Sequence, residues 1–285
     1  MDFNKEEYFK RQTTLSEIGK EGQELLQKAK VLIIGCGGLG NPVAIYLATS
    51  GVGELHLVDF DTVSISNLHR QVFYKIENVG KPKVEILANE IKTRTPFTKV
   101  THTNKAIDKD SILDLILKYD IVVDGTDSLP IKYLINDACV LAKKPLVYGS
   151  LYKFDGYVAT FNVLGEDEEY TCNLRDAFPK IATDIPNCEE AGTLNPIVGL
   201  IALFQTNEVI KLITKKGKLL TNQLLIYNTL NNSQFKIKLK RNKQLNIEEI
   251  FKNSTYLDSK CTFQDSTLLI TASELKKLFQ IQPLK

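Results

Sequence analysis

The stretch from Val31 to Lys83 carries residues that could hold a nucleotide by its phosphates and cut them. VLIIGCGGLG, Val31–Gly40, reads as an apolar strand running into a glycine-rich turn and a helix, with Gly35, Gly37, Gly38 and Gly40 in the turn. A G-x-G-x-x-G turn in that setting brings backbone N–H groups against phosphate at a helix N-terminus. Asp59 ends the next apolar segment 24 residues after Gly35, at a spacing suited to ribose hydroxyls. To this point a nicotinamide cofactor fits as well as ATP. Asp61, Asn67, Arg70, Gln71 and Lys83 separate the two. A hydride-transfer enzyme never breaks the pyrophosphate and has no use for Arg and Lys fixed there. Nucleotidyl transfer builds charge on the α-phosphate and the departing pyrophosphate, which guanidinium and ammonium groups neutralise. Taken singly, each residue has a plainer reading: SNLHRQ as a solvated loop, Lys83 as a helix-surface lysine.

The elements that must position these residues follow from periodicity. Helical patterns are expected over 13–29, 41–49, 83–94, 111–118, 130–143 and 194–213, and strands over 31–34, 54–59, 99–103, 121–124 and 145–148. The alternation predicts an α/β fold, a Rossmann-like doubly wound sheet whose N-terminal part is parallel. Residues 156–163, 223–227 and 234–240 alternate like antiparallel strands and extend it. Residues 165–193 are acidic, irregular and long for a connection, as functional loops are. An Ala272–Phe279 helix is expected in the tail.

With 285 residues and a formal charge of +2, the chain suits one large domain and shows no basic block of the kind that binds nucleic acid. No apolar run reaches the ~18 residues that span a bilayer, and the polar MDFNKEEYFK start is unlike a signal peptide. A cytoplasmic protein with neither a membrane nor a nucleic-acid partner is expected. The five cysteines are odd in number and form no C-x-x-C pair, which fits reduced thiols. Cys36 and Cys139 are expected to be buried; Cys188, in a loop-like setting, is the one whose reactivity is plausible.

GCGGLG, VDFDTVSISNLHRQ, VGKPKVE and VVDGTDS, in that order, resemble the ThiF/MoeB family, bacterial relatives of ubiquitin-activating enzymes. The resemblance runs from about Tyr8 to Lys240. It implies that Asp59 binds the ribose of ATP, that Asn67, Arg70 and Lys83 hold its phosphates with Gln71 beside them, and that Asp127 binds Mg²⁺. Arg11 would reach the neighbouring subunit's site in a symmetric homodimer. Ser128 stands where the family usually has Asn. The implied reaction is adenylation of the C-terminal glycine carboxylate of a ubiquitin-fold sulfur-carrier protein ending in Gly-Gly, in molybdopterin or thiamine synthesis. A terminal carboxylate is already ionised near pH 7 and needs no general base, in keeping with the scattered His56, His69 and His102.

Cys188, in NCEEAG, occupies the place of the family's second, thiol-based site, where a thioester or persulfide would form, although Glu189 and Glu190 beside it disfavour a thiolate. Many relatives hold structural zinc with two C-x-x-C pairs. Here Cys172 stands alone with Glu169 in its partner's place, and RNKQLNIEE replaces the second pair, so no zinc and a crossover loop mobile without substrate are expected. The domains are read as an adenylation domain over 1–245 and a tail over 246–285, in which STLLITASELKKLF resembles the opening of a rhodanese-like domain or is a plain helix. Three alternatives stay open: adenylation of another acid or a tRNA base, an inactive carrier-binding scaffold, and a dehydrogenase.

Overall fold

The computed structural model describes residues 4–180 and 192–256. The strands are β1 (Lys30–Ile34), β2 (Glu54–Val58), β3 (Lys99–Thr103), β4 (Ile121–Asp124), β5 (Leu146–Tyr152), β6 (Asp155–Phe161), β7 (Gln223–Asn228) and β8 (Ser233–Lys238). They form one sheet in the order β3-β2-β1-β4-β5-β6-β7-β8. Pairing is parallel from β3 to β5 and antiparallel from β5 to β8. Around it lie the helices α1 (Lys5–Tyr8), α2 (Lys10–Thr13), α3 (Gly19–Lys28), α4 (Gly40–Thr49), α5 (Lys83–Arg94), α6 (Ile112–Ile116), α7 (Leu129–Leu141), α8 (Leu174–Ala177), α9 (Asn195–Thr214) and α10 (Ile247–Asn253).

The period of two along each strand divides the core. Val31 and Ile33 of β1, with Leu55 and Leu57 of β2 and Val123 of β4, face one cluster that also holds Val43, Leu87 and Ile201 of α4, α5 and α9. Leu32 and Ile34, with Val122 and Tyr148, face the other, closed by Ile116, Leu134 and Phe251 of α6, α7 and α10. A strand covered on both faces must be apolar at every position, which is why 31–34 reads as an unbroken apolar run. Each such side chain contributes about 1.5–3 kcal/mol by leaving water. Strand order reverses between β1 and β4, so their carboxyl ends open a crevice.

The helical pattern over 13–29 resolves into α2 and α3, separated by residues 14–18. β5 extends beyond Tyr148 to Tyr152 because Lys153, left-handed at φ 54°, turns the chain directly into β6. α10 was not anticipated; its start is capped by Asn246, whose Oδ1 accepts the Glu249 N–H at 3.1 Å. The 20-residue α9 is, by length and composition, apolar enough to cross a membrane, but half of that window is buried, and α9 packs on α3, α4, β5 and β6. Cys36, Cys139 and Cys172 are buried. Cys188, residues 257–285 and the helix expected there lie outside the described residues.

His56 of β2 sets its Nδ1 2.7 Å from Thr101 Oγ1 and its Nε2 3.1 Å from Thr103 Oγ1. Burial, followed by the neighbouring His102, holds its imidazole below the usual value. A base whose folded pKa is depressed contributes stability above its unfolded pKa, about 6.5, and loses it as pH falls through the folded value. Thermal midpoints from pH 7.5 to 5.5 should therefore fall more steeply in the parent than in His56→Gln; parallel slopes would refute the assignment.

Candidate functional site

A close backbone contact lies where β1 and β4 end. A Cβ on Gly35 would come within 2.6 Å of the Gly125 carbonyl carbon, and Gly35 is itself left-handed at φ 88°. Gly40 fills a different need: its Cβ would lie 1.7 Å from Gly35 O, so only glycine lets α4 start against the turn. Gly38 faces α9, where a Cβ would sit 2.7 Å from Val198 Cγ1.

A cavity of about 710 Å³ opens over this contact, lined by Gly35, Gly37, Gly38 and the residues after β2, β3 and β4. Asp59 Oδ2 accepts the Cys36 N–H at 2.6 Å and Oδ1 the Asp61 N–H at 2.8 Å. The carboxylate thus fastens the glycine turn as well as facing the cavity. Burial raises its pKa, and those two N–H groups and Lys83 oppose the rise. Burial, then the Asp59 charge, pushes the Cys36 thiol well above its ordinary value, so it stays un-ionised.

Residues 59–83 fold back on themselves. Val63 N donates to Lys81 O at 2.9 Å and Lys83 N to Asp61 O at 3.0 Å. The return places Lys83 Nζ 2.9 Å from Asp61 Oδ2, with only 5% of Lys83 exposed. It is not a surface lysine. Tyr74 Oη, donating to Cys36 O at 2.8 Å, holds the same segment against the glycine turn. Arg70 is half-buried and lines the cavity; its Nη1 donates to Ser66 O at 2.9 Å and lies 3.1 Å from His69 Nε2. Asn67 and Gln71 are buried and line the cavity beside it, and Gln71 Oε1 has no partner among the described residues. A buried acceptor left unpaired costs about 1–3 kcal/mol, so this oxygen suits a ligand's donor.

Asp127 is exposed into the cavity from the loop after β4. One carboxylate beside a phosphate cradle fits Mg²⁺, which takes few protein ligands and completes its shell from phosphate and water. Among the described residues no three His, Cys, Asp or Glu side chains gather as a self-sufficient metal cage. Arg11 is exposed and does not line its own chain's cavity.

Two residues that hold the Asp127 loop escaped sequence reading. Asp124, wholly buried, accepts Thr126 N at 3.0 Å and Thr126 Oγ1 at 2.7 Å on Oδ1. Its Oδ2 faces Lys132 Nζ at 3.0 Å, and that ammonium also donates to Gly149 O at 2.7 Å and lies 5.1 Å from the Tyr148 ring centre. Lys132 stands among apolar residues of α7, where periodicity alone gives no sign of a buried charge.

The crossover segment after β6 is tied down through residue 180. Arg175 Nε and Nη2 grip Asp137 of α7 at 2.8 and 2.6 Å, and Tyr133 Oη donates to Phe178 O and Lys180 O at 2.8 Å. Residues 181–191 of the same segment lie outside the described residues. Cys172, its thiol pushed up to about 11 by burial and then by Asp176, meets no second thiol among the described residues, and Glu169 is 3.0 Å from Lys243 Nζ.

The ThiF family model matches residues 9–247. A sulfur carrier protein adenylyltransferase of Thermus thermophilus is 39% identical over 246 residues, covering 85% of this chain and 91% of that protein. The adenylyltransferase and sulfurtransferase MOCS3 of Dictyostelium discoideum is 42% identical over 225 residues, 79% of this chain but 52% of that one. The chain therefore spans about half the length of such two-activity relatives. Among solved structures, E. coli MccB with ATP superposes with a TM-score of 0.74 at 25% identity, covering 87% of this chain and 74% of that chain.

Removing one member of a buried ion pair costs about 3–5 kcal/mol, because the other charge is left uncompensated. Lys132→Met should be destabilised on that scale in urea unfolding, and adding Asp124→Asn should restore part of the loss. A single variant as stable as the parent would show that the pair does not hold the loop.

Proposed function

This chain belongs to the ThiF family, and on that premise we propose that it uses ATP to adenylate the C-terminal glycine carboxylate of a ubiquitin-fold sulfur-carrier protein. It is an enzyme of the nucleotidyltransferase type. The observation that carries the reading is the convergence of Lys83, Arg70, Asn67 and Gln71 on a glycine cradle that also presents Asp127. A site that only held a nucleotide would not need a lysine desolvated against Asp61 at that position.

In this reading the glycine turn holds the phosphates by its N–H groups and Asp59 accepts from the ribose. Lys83 and Arg70 neutralise the charge that develops as the carboxylate oxygen bonds to the α-phosphorus and the bond to pyrophosphate breaks. Such preorganised cations are worth most where water is excluded. Mg²⁺, held by Asp127, would supply further charge neutralisation on the phosphates. Arg11 would complete the partner subunit's site in a homodimer, and Cys188 would act only after adenylation, in sulfur transfer. The carrier belongs to molybdopterin or thiamine synthesis. A different acid is the second reading, favoured by the likeness to MccB, solved in complex with N-formylated MccA.

With ATP, Mg²⁺ and a carrier ending in Gly-Gly, pyrophosphate exchange should depend on the carrier; exchange with a peptide acid alone would move the assignment to the second reading. Asp127→Ala should lower exchange by about 10²-fold or more, the scale on which transition-state charge stabilisation is lost, with the fold intact by circular dichroism.

Cys188→Ala should exchange pyrophosphate at the parent rate and lose only later sulfur transfer. Arg11→Ala should be impaired, and mixing it with Asp127→Ala should recover activity if the arginine acts across the dimer. No recovery in verified mixed dimers would place Arg11 outside the site.

A further inference from the structure

The cavity extends past the residues that the motifs identify. It is also lined by Ile107 and Lys109 of the loop after β3, by Ile131 and Leu134 of α7, and by Thr255 and Tyr256. The last two lie beyond residue 247, where the family match ends.

They are held there firmly. Lys109 Nζ donates to Lys252 O at 2.7 Å and Ser254 O at 3.1 Å, and lies 5.6 Å from the centre of the Phe251 ring. Tyr256 Oη donates to Asp137 Oδ2 at 2.6 Å, on the carboxylate that Arg175 also grips. Tyr256 is 7% exposed and left-handed at φ 53°. A bulky side chain keeps that conformation only where its surroundings over-determine it.

The lining of the cavity is not uniform in chemistry. The Arg70 backbone and the Gln71 side chain adjoin Gly38 and Gly37, and Lys83, paired with Asp61, lines the same cavity. Ile107, Ile131, Leu134 and the tyrosine also line it and share one apolar cluster, which suits the flat, apolar faces of a nucleobase. We propose that Tyr256, with Thr255, forms a wall of the nucleobase end of the site, so that the segment after the hairpin is part of the binding site and not only a connector. The proposal rests on the nucleotide reading above. It assigns Tyr256 to base binding, with no part in holding phosphate.

Binding of ATP and of inorganic tripolyphosphate to the full-length chain, measured by calorimetry, separates the two ends. Tyr256→Ala should weaken ATP by about tenfold, within the range of base–aromatic contacts, and leave tripolyphosphate within twofold of the parent. Tyr256→Phe, which keeps the ring and loses the Asp137 bond, should bind both like the parent. ATP binding unchanged in Tyr256→Ala, an equal loss of both ligands, or a tenfold ATP loss in Tyr256→Phe would each overturn the proposal. If Tyr256→Ala does not unfold cooperatively, Tyr256→Leu replaces it, with a selective ATP loss of about threefold or more expected and unchanged ATP binding overturning the proposal. A parent that binds tripolyphosphate but not ATP would overturn both this proposal and the nucleotide reading; a parent that binds ATP but exchanges no pyrophosphate would overturn the adenylation reading alone.

Discussion

Gly35 and Gly125 touch backbone to backbone, and the site is organised around that contact. Two parallel strands end side by side at the point where the sheet reverses its order, and the chain must leave each in a different direction. With side chains absent at both positions, the turn after β1 and the turn after β4 share one wall. Asp59 then fastens the first turn through Cys36 N, and the Asp124–Lys132 pair fastens the second. The groups that face the cavity, Arg70, Lys83 and Asp127, are hung from these anchors.

Buried charge fixes two loops to α7. Lys132 meets Asp124 under the Asp127 loop, and Arg175 meets Asp137 under the crossover segment. Burying such pairs costs heavily in desolvation, and a well-packed apolar pair would often be at least as stable. An apolar contact tolerates sliding, however, whereas a bidentate guanidinium–carboxylate pair with bonds of 2.6 and 2.8 Å admits little else. The Asp127 loop borders the cavity, where a displacement of about 1 Å is enough to impair a reaction.

The parts legible in sequence were those with local signals. Strand runs such as 31–34 and 121–124 show two-sided burial directly, and the glycine spacing announces the turn. Arg70, Lys83 and Asp127 are legible because several short motifs occur in order; none was secure alone. Lys132 and Arg175 were missed because their partners lie in other elements, and charge gives no hint of burial until the partner is known. α10 was missable for a different reason: Asn246 and Glu249 signal a helix start, but only seven residues follow. Tyr256 gave no signal at all, since its place depends on Asp137, 119 residues away.

That distance also bears on how the molecule folds. The glycine turn, Asp59 and the Asp61–Lys83 return are contiguous in the chain, so one end of the cavity closes loops of only 22 or 23 residues. The other end waits for contacts 119 and 145 residues apart, Tyr256 to Asp137 and Lys109 to Ser254. Closing loops of that length costs more chain entropy, so those contacts form later. During folding the Asp59–Asp61–Lys83 side of the cavity can therefore close before the far wall exists.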